Sequence, residues 1–254
     1  MCFDLDSRPP IAPIAGGAMD HESLVLTASD GNRLSAFRAR ASAPTGAGIV
    51  ILPDVRGLHP YYEELALRFA EAGVDAVAID YFGRTAGPGP RGGDFEHTSH
   101  VRQMTWEGTL ADIKAGAAAV REGGRVVALF AIGFCMGGRL AFLTPTIELG
   151  MSGAIGFYGW PTGARPSSPA PVDVATEMRA PILGIFGGAD EGITPDVVAE
   201  FKHALVAAGV PHELVTYPGA PHSFFDRKAA DFAQASKNAW RRTLRFIRTN
   251  TPKG

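Results

Sequence analysis

The chain has 254 residues, a length that suits one large domain or two small ones. Hydrophobic residues make up 46 % and charged residues 20 %, a balance that excludes wholesale disorder. Lys and Arg number 24 against 26 Asp and Glu, so the net charge of -2 leaves no basic excess for a nucleic-acid backbone. The two cysteines, Cys2 and Cys135, cannot staple a chain this long and suit a reducing, cytoplasmic setting. The most apolar stretches, 125–135 and 181–186, fall far short of the roughly 20 residues a membrane helix needs. Residues 1–20 carry Asp4 and Asp6 where a secretory signal would be positive. They are interrupted by Pro13 and a Gly pair, so an irregular arm is expected there, followed by a single domain over 21–254.

Residues 23–28 and 34–39 read as two strands around Asp30-Gly31-Asn32, where glycine supplies the positive φ of a tight hairpin. The run 48–53 (GIVILP) is apolar without alternation, the pattern of a strand covered on both faces. Residues 60–72 have helical spacing, with Pro60 at the start, Leu65, Phe69 and Ala72 on one face, and Gly73 as the stop. Strands are then expected at 75–80, 125–132, 152–158, 181–186 and 212–217. Helices are expected at 101–122, 136–149, 195–208 (capped by Thr194) and 227–248. A Pro- and Ser-rich loop at 161–171 is the longest irregular piece, and a rim or lid suits it better than a domain boundary. An N-terminal β-hairpin followed by strand–helix alternation implies an α/β fold, with a mostly parallel central sheet and helices on both faces.

The sharpest local pattern is Gly133-Phe134-Cys135-Met136-Gly137-Gly138, between an expected strand and an expected helix. A strand-to-helix turn this tight has room only for small residues two before and two after its apex, and Gly133 and Gly137 meet that demand. The apex is Cys where Ser is usual. A thiol at a helix N-terminus is favoured as thiolate, and the next N–H, that of Met136, points to where an oxyanion would form. A lone Cys is ordinarily a core residue, but the glycine frame argues for a nucleophile. On sheets carrying such an elbow the chain order is nucleophile, acid, histidine. Of seven histidines only His222 lies in a loop just past a late strand; His203 falls mid-helix and His212 starts a strand. The acid expected after the preceding strand is Asp190, with Asp173, Asp196 and Asp226 as rivals. Cys135 would then attack, His222 move the proton, and Asp190 orient the imidazole. His97 and His100 are too loosely spaced, with no third ligand fixed nearby, to suggest a metal site.

Together these motifs resemble the dienelactone hydrolase (carboxymethylenebutenolidase) family of α/β-hydrolases over roughly 25–248. The likeness rests on the G-F-C-M-G-G elbow, GGADEGITP around Asp190, PGAPHSF around His222, LPDVRGL and AIDYFGR. It implies the α/β-hydrolase fold and hydrolysis of a small lactone or ester through an acyl-enzyme without cofactor, by a monomer or small homo-oligomer. It also implies a second oxyanion donor at the Val55 N–H. Asp54 stands where the family usually has Glu, the group that helps generate the thiolate; Asp is one methylene shorter. Two family arginines bind a substrate carboxylate. The first maps onto Arg84. The second would lie four residues after His222, where Asp226 stands and would oppose an anion, with Arg227 beside it as the substitute. Broader carboxylesterase or thioesterase activity fits the same motifs. A non-catalytic ligand-binding protein of this fold is the contrasting reading, disfavoured because no triad member is missing. A redox thiol pairing Cys135 with Cys2 is a further alternative. Phe82, Trp106, Phe134, Tyr158, Trp160 and Phe224 are candidates for an aromatic pocket wall.

Overall fold

The structure, a computed structural model, describes residues 7–226 and 229–252. Cys2, Arg227 and the first residues of the expected arm lie outside the described residues. The chain opens with β1 (Ala18–Thr27) and β2 (Arg33–Ala41), an antiparallel hairpin whose turn holds Gly31 at φ 85°. There follow β3 (Ala47–Leu52), α1 (Pro60–Glu71), β4 (Asp75–Ile79) and the short helices α2 (Gly83–Ala86) and α3 (His97–Val101). Then come α4 (Trp106–Arg121), β5 (Ala128–Phe134), α5 (Met136–Leu143), β6 (Met151–Phe157) and β7 (Ile182–Gly187). The chain closes with α6 (Pro195–Ala207), β8 (His212–Tyr217) and α7 (Ala233–Thr249).

The eight strands form one sheet in the order β1-β2-β4-β3-β5-β6-β7-β8, parallel from β4 to β8. β2 pairs antiparallel with both β1 and β4. The unbroken apolar runs behave as expected: every residue of β3, β4, β5 and β7 is buried. Period-two alternation sends Ile49, Ile51, Ala76 and Ala78 into the core shared with Tyr61, Leu65 and Phe69 of α1. Val50, Leu52, Val77 and Ile79 pack instead with Ile113, Ala117 and Val120 of α4. Removing that much apolar surface from water, at about 25 cal/mol per Å², is the main force holding the layers together.

Several boundaries differ from the sequence reading. β1 starts at Ala18, inside the expected arm, because its backbone pairs with β2 up to Ala41 despite a polar sequence. The helix expected over 101–122 starts only at Trp106, after the separate short helix that ends at Val101; Thr105 caps it, its Oγ1 accepting from the Gly108 N–H. α5 ends at Leu143 because Pro145 follows, and a 3-10 turn over Thr144–Thr146 takes up the rest. The last helix starts at Ala233 rather than 227. Thr194 takes the cap position of α6 without a side-chain cap bond. No helix of the described residues is long and apolar enough to cross a membrane.

His59 precedes α1 and is 3 % exposed; burial, then the nearby Arg56 charge, hold its pKa down to about 4 from an ordinary 6.5. Between those values the unfolded chain binds a proton that the folded chain refuses. Stability should therefore fall as pH drops through that window, by about 2 kcal/mol after allowing for screening. Urea unfolding at pH 7, 5.5 and 4 should show this slope, and His59→Gln should flatten it. Equal slopes in the two proteins would remove His59 as the cause.

Candidate active site

The C-terminal ends of the parallel strands deliver every member of the expected triad. Cys135 follows β5, Asp190 follows β7 and His222 follows β8, while Asp54 and Val55 follow β3. Strand ends at this edge of an open sheet are where ligand-binding loops gather. Cys135 has φ 55° and ψ -113°, a strained turn between β5 and α5 that leaves its side chain half-buried rather than lost in the core. Its N–H donates to the Phe157 carbonyl (3.0 Å) and its carbonyl accepts from the Arg139 N–H (3.1 Å).

The glycine frame has the reason given to it by the sequence. A Cβ at Gly133 would run into the Gly137 carbonyl, and one at Gly137 into the carbonyls of Leu52 and Pro53. Backbone lies on both sides, so neither clash is relieved by a rotamer change. Gly133→Ala should lower stability by about 3 kcal/mol or more. Chemical denaturation measures this, and an unchanged midpoint would show that the elbow relaxes.

His222 Nδ1 lies 2.6 Å from Asp190 Oδ2. Asp190 Oδ1 accepts from the N–H groups of Gly192 (3.0 Å) and Ile193 (3.1 Å). Burial works against charge on Asp190, but the hydrogen bond and charge of His222 and those two N–H groups outweigh it and keep its pKa below the ordinary value. An ionised carboxylate only accepts, so Nδ1 carries a proton in either state of the ring, and in the neutral imidazole Nε2 is the basic nitrogen. The rival acids sit elsewhere. Asp173 and Asp196 are exposed, and buried Asp226 accepts from the Tyr158 hydroxyl (3.1 Å).

Cys135 and His222 line one cavity of ≈ 210 Å³, together with Val55, Met136, Tyr158, Trp160 and Ile193. Val55 and Met136 are the two expected oxyanion donors, and the first N–H groups of a helix have no partner within it. Asp54 is wholly buried beside them. Its Oδ1 accepts from the Arg56 N–H (2.8 Å), and its own N–H donates to the Tyr62 hydroxyl (3.0 Å). Tyr81 donates to the Pro53 carbonyl (2.9 Å); burial, then Asp54, Asp80 and Cys135, push its phenol well above the usual range.

Arg84 does not meet its expectation. Its guanidinium is held by Asp30 and by Asp112 (2.9 Å), and it does not line the cavity. Burial raises the pKa of the Asp112 carboxylate, and Arg84 and Asn32 offset that only in part, so the carboxylate needs that cation where it stands. Asp226 also differs from expectation: it turns to Tyr158 and is not part of the cavity wall. Of the aromatic candidates, Tyr158 and Trp160 line the cavity, whereas Phe82, Phe134 and Phe224 are core and Trp106, which opens α4, packs against the core beneath that helix.

The sequence reading missed Arg139 and Arg165, the two arginines of the cavity wall, and Ser167 and Ser168 beside them. A signal was present for Arg139, a lone charge one helical turn past the nucleophile in the otherwise apolar MGGRLAFL. The 161–171 loop does rim the site, contributing Arg165, Ser167 and Ser168. His100 stacks on Phe95 (4.8 Å), and no cluster of three or more metal-ligating side chains occurs among the described residues. The non-glycine residues with positive φ among the described residues are Cys135, Tyr158 (39°) and Ser223 (61°). All three belong to this site or adjoin it, the Tyr158 ring lying 4.9 Å from that of His222.

The model of the dienelactone hydrolase family matches residues 34–251. A carboxymethylenebutenolidase-like protein of Escherichia coli (strain K12) is 31 % identical over 231 residues, 87 % of this chain and 84 % of that one. The carboxymethylenebutenolidase of Rhodococcus opacus is 29 % identical over 97 % of this chain and 96 % of its own. A dienelactone hydrolase-like crystal structure from Klebsiella pneumoniae superposes with a TM-score of 0.77 at 28 % identity, over 90 % of this chain and 99 % of that one. The elbow, the sheet order and these matches agree, and the chain belongs to the dienelactone hydrolase family, hydrolases of ester or lactone bonds on the α/β-hydrolase fold.

Proposed function

We propose that the protein hydrolyses a small lactone or ester through a thioester on Cys135. The Cys135 sulfur attacks the carbonyl carbon, and the resulting oxyanion is met by the N–H groups of Met136 and Val55. The carbon–oxygen bond of the ester breaks, and His222 gives the leaving alkoxide the proton taken from the thiol. Water, deprotonated by His222, then attacks the thioester and releases the acid. Asp190 holds the imidazole in the tautomer that keeps Nε2 basic. Asp54, behind Val55, serves as the group that helps the thiol lose its proton when substrate arrives. Nucleophile, base and donors all belong to the chain, so the reaction calls on no cofactor. The observation that carries the reading is the Asp190–His222 bond on the wall of the cavity that also receives Cys135.

The cavity's size favours small acyl groups. Arg165 lines the wall and no carboxylate does so among the described residues, which favours an anionic ester met by Arg165 rather than Arg84. A panel of lactones and esters, including an anionic dienelactone, tests both points, with intact-mass detection of the acyl adduct. Arg165→Ala should raise KM for the anionic member about tenfold and leave neutral esters near wild type. Equal effects on both would remove Arg165 from substrate recognition, and no hydrolysis of any member would end the proposal.

A further inference from the structure

One wall of the cavity is built from the connection between β6 and β7, which has little regular structure from 159 to 174. Between 160 and 171 it carries four prolines, Pro161, Pro166, Pro169 and Pro171. Proline brings a carbonyl and no N–H, so this segment has more acceptors than its own donors can serve. Arg139 supplies the difference. Its Nε donates to Ser168 Oγ (2.7 Å) and its Nη1 to the carbonyls of Trp160 and Thr162 (2.9 Å each). Its Nη2 donates to the carbonyls of Gly163 (2.6 Å) and Pro169 (2.8 Å). A guanidinium has five N–H donors, and these five acceptors occupy all of them. The side chain is 2 % exposed, makes no ion pair with a carboxylate among the described residues, and has its pKa lowered to about 10, first by burial and then by Arg165.

A cation with every donor committed cannot grip a substrate. It can fix what does. Both limbs of the loop are tied to one side chain that leaves α5 a turn after Cys135. The loop meets the acid's side of the site as well, since the Trp160 ring packs on Gly192, whose N–H donates to Asp190. We infer that Arg139 is a positioning residue that sets the size selectivity of the cavity, by clamping the 160–169 wall to the helix of the nucleophile. This deepens the proposed hydrolase reading and rests on it only for the ester arm of the test.

Arg139→Met, Arg139→Lys and Ser168→Ala are compared with wild type in two ways. One is kcat/KM for p-nitrophenyl benzoate relative to p-nitrophenyl acetate. The other is the rate of Cys135 alkylation by N-phenylmaleimide relative to iodoacetamide, read by peptide mass because Cys2 is a second thiol. Freeing the wall should relax discrimination against the bulkier reagent. Both ratios should rise about tenfold in Arg139→Met, with a smaller rise in Ser168→Ala and partial recovery in Arg139→Lys. A merely structural role would slow both reagents and both esters by one factor. Unchanged ratios in the folded variants overturn the inference. If Arg139→Met does not fold, Arg139→Lys and Ser168→Ala decide alone. A wild-type protein that cleaves neither ester counts against the hydrolase reading, and the alkylation ratio still decides on Arg139.

Discussion

Cys135→Ala should abolish hydrolysis of every substrate that the wild-type protein cleaves, lowering kcat by at least about 10³-fold. Cys135 sits at the apex of the elbow with a half-buried side chain on the cavity, and its neighbour Met136 begins α5. Removing the sulfur leaves the Val55 and Met136 backbone and the cavity in place, so binding should survive while the proposed covalent step is lost. An acyl adduct is expected by intact mass in wild type and should be absent from Cys135→Ala. Cys135→Ser, with a weaker nucleophile on the same backbone, should stay well below wild type. Full activity in Cys135→Ala, on any ester, would assign the chemistry to another group.

Asp190→Asn should cost about 10³–10⁴-fold in kcat while the fold is kept. The Asp190 carboxylate accepts from His222 through Oδ2 and from Gly192 and Ile193 through Oδ1. An Asn Oδ1 still serves the two backbone N–H groups, but its amide N–H₂ then faces Nδ1. That donor favours the tautomer with the proton on Nε2, and the imidazole can no longer take the thiol's proton. A loss of less than about tenfold would place the orienting role elsewhere. The pH dependence has a definite sign. Asp190's pKa is depressed in the folded state, so its contribution to stability is present above the ordinary carboxylate value and is lost as pH falls through the depressed one.

How much of this was legible beforehand depended on the range of the interaction. The apolar runs of β3, β5 and β7 and the glycine frame of the elbow report local demands, two covered faces and one tight turn, and these were read correctly. Strand ends follow from that, so the places of Cys135, Asp190 and His222 followed as well. β1 extended to Ala18 because of a partner strand, which the polar stretch MDHES does not advertise. Arg84 follows β4 as expected, in the short helix α2, but Asp112, 28 residues later on α4, takes its charge. The wall of the cavity was the least legible part. Arg139 finds its acceptors 21 to 30 residues away, on a segment with no periodicity to read.

The positive φ angles at Cys135, Tyr158 and Ser223 bear on any attempt to harden this protein. Each such angle in a non-glycine residue costs of order 1–3 kcal/mol, and here all three sit around the reacting groups. Random mutagenesis screened only for survival of heat should be drawn to these positions, where glycine relieves the strain. Those winners would lack the thiol, loosen the ring beside His222, or soften the loop that presents the imidazole. A thermostable variant of use would have to gain its stability from the rest of the chain, with these three residues excluded from the library at the outset.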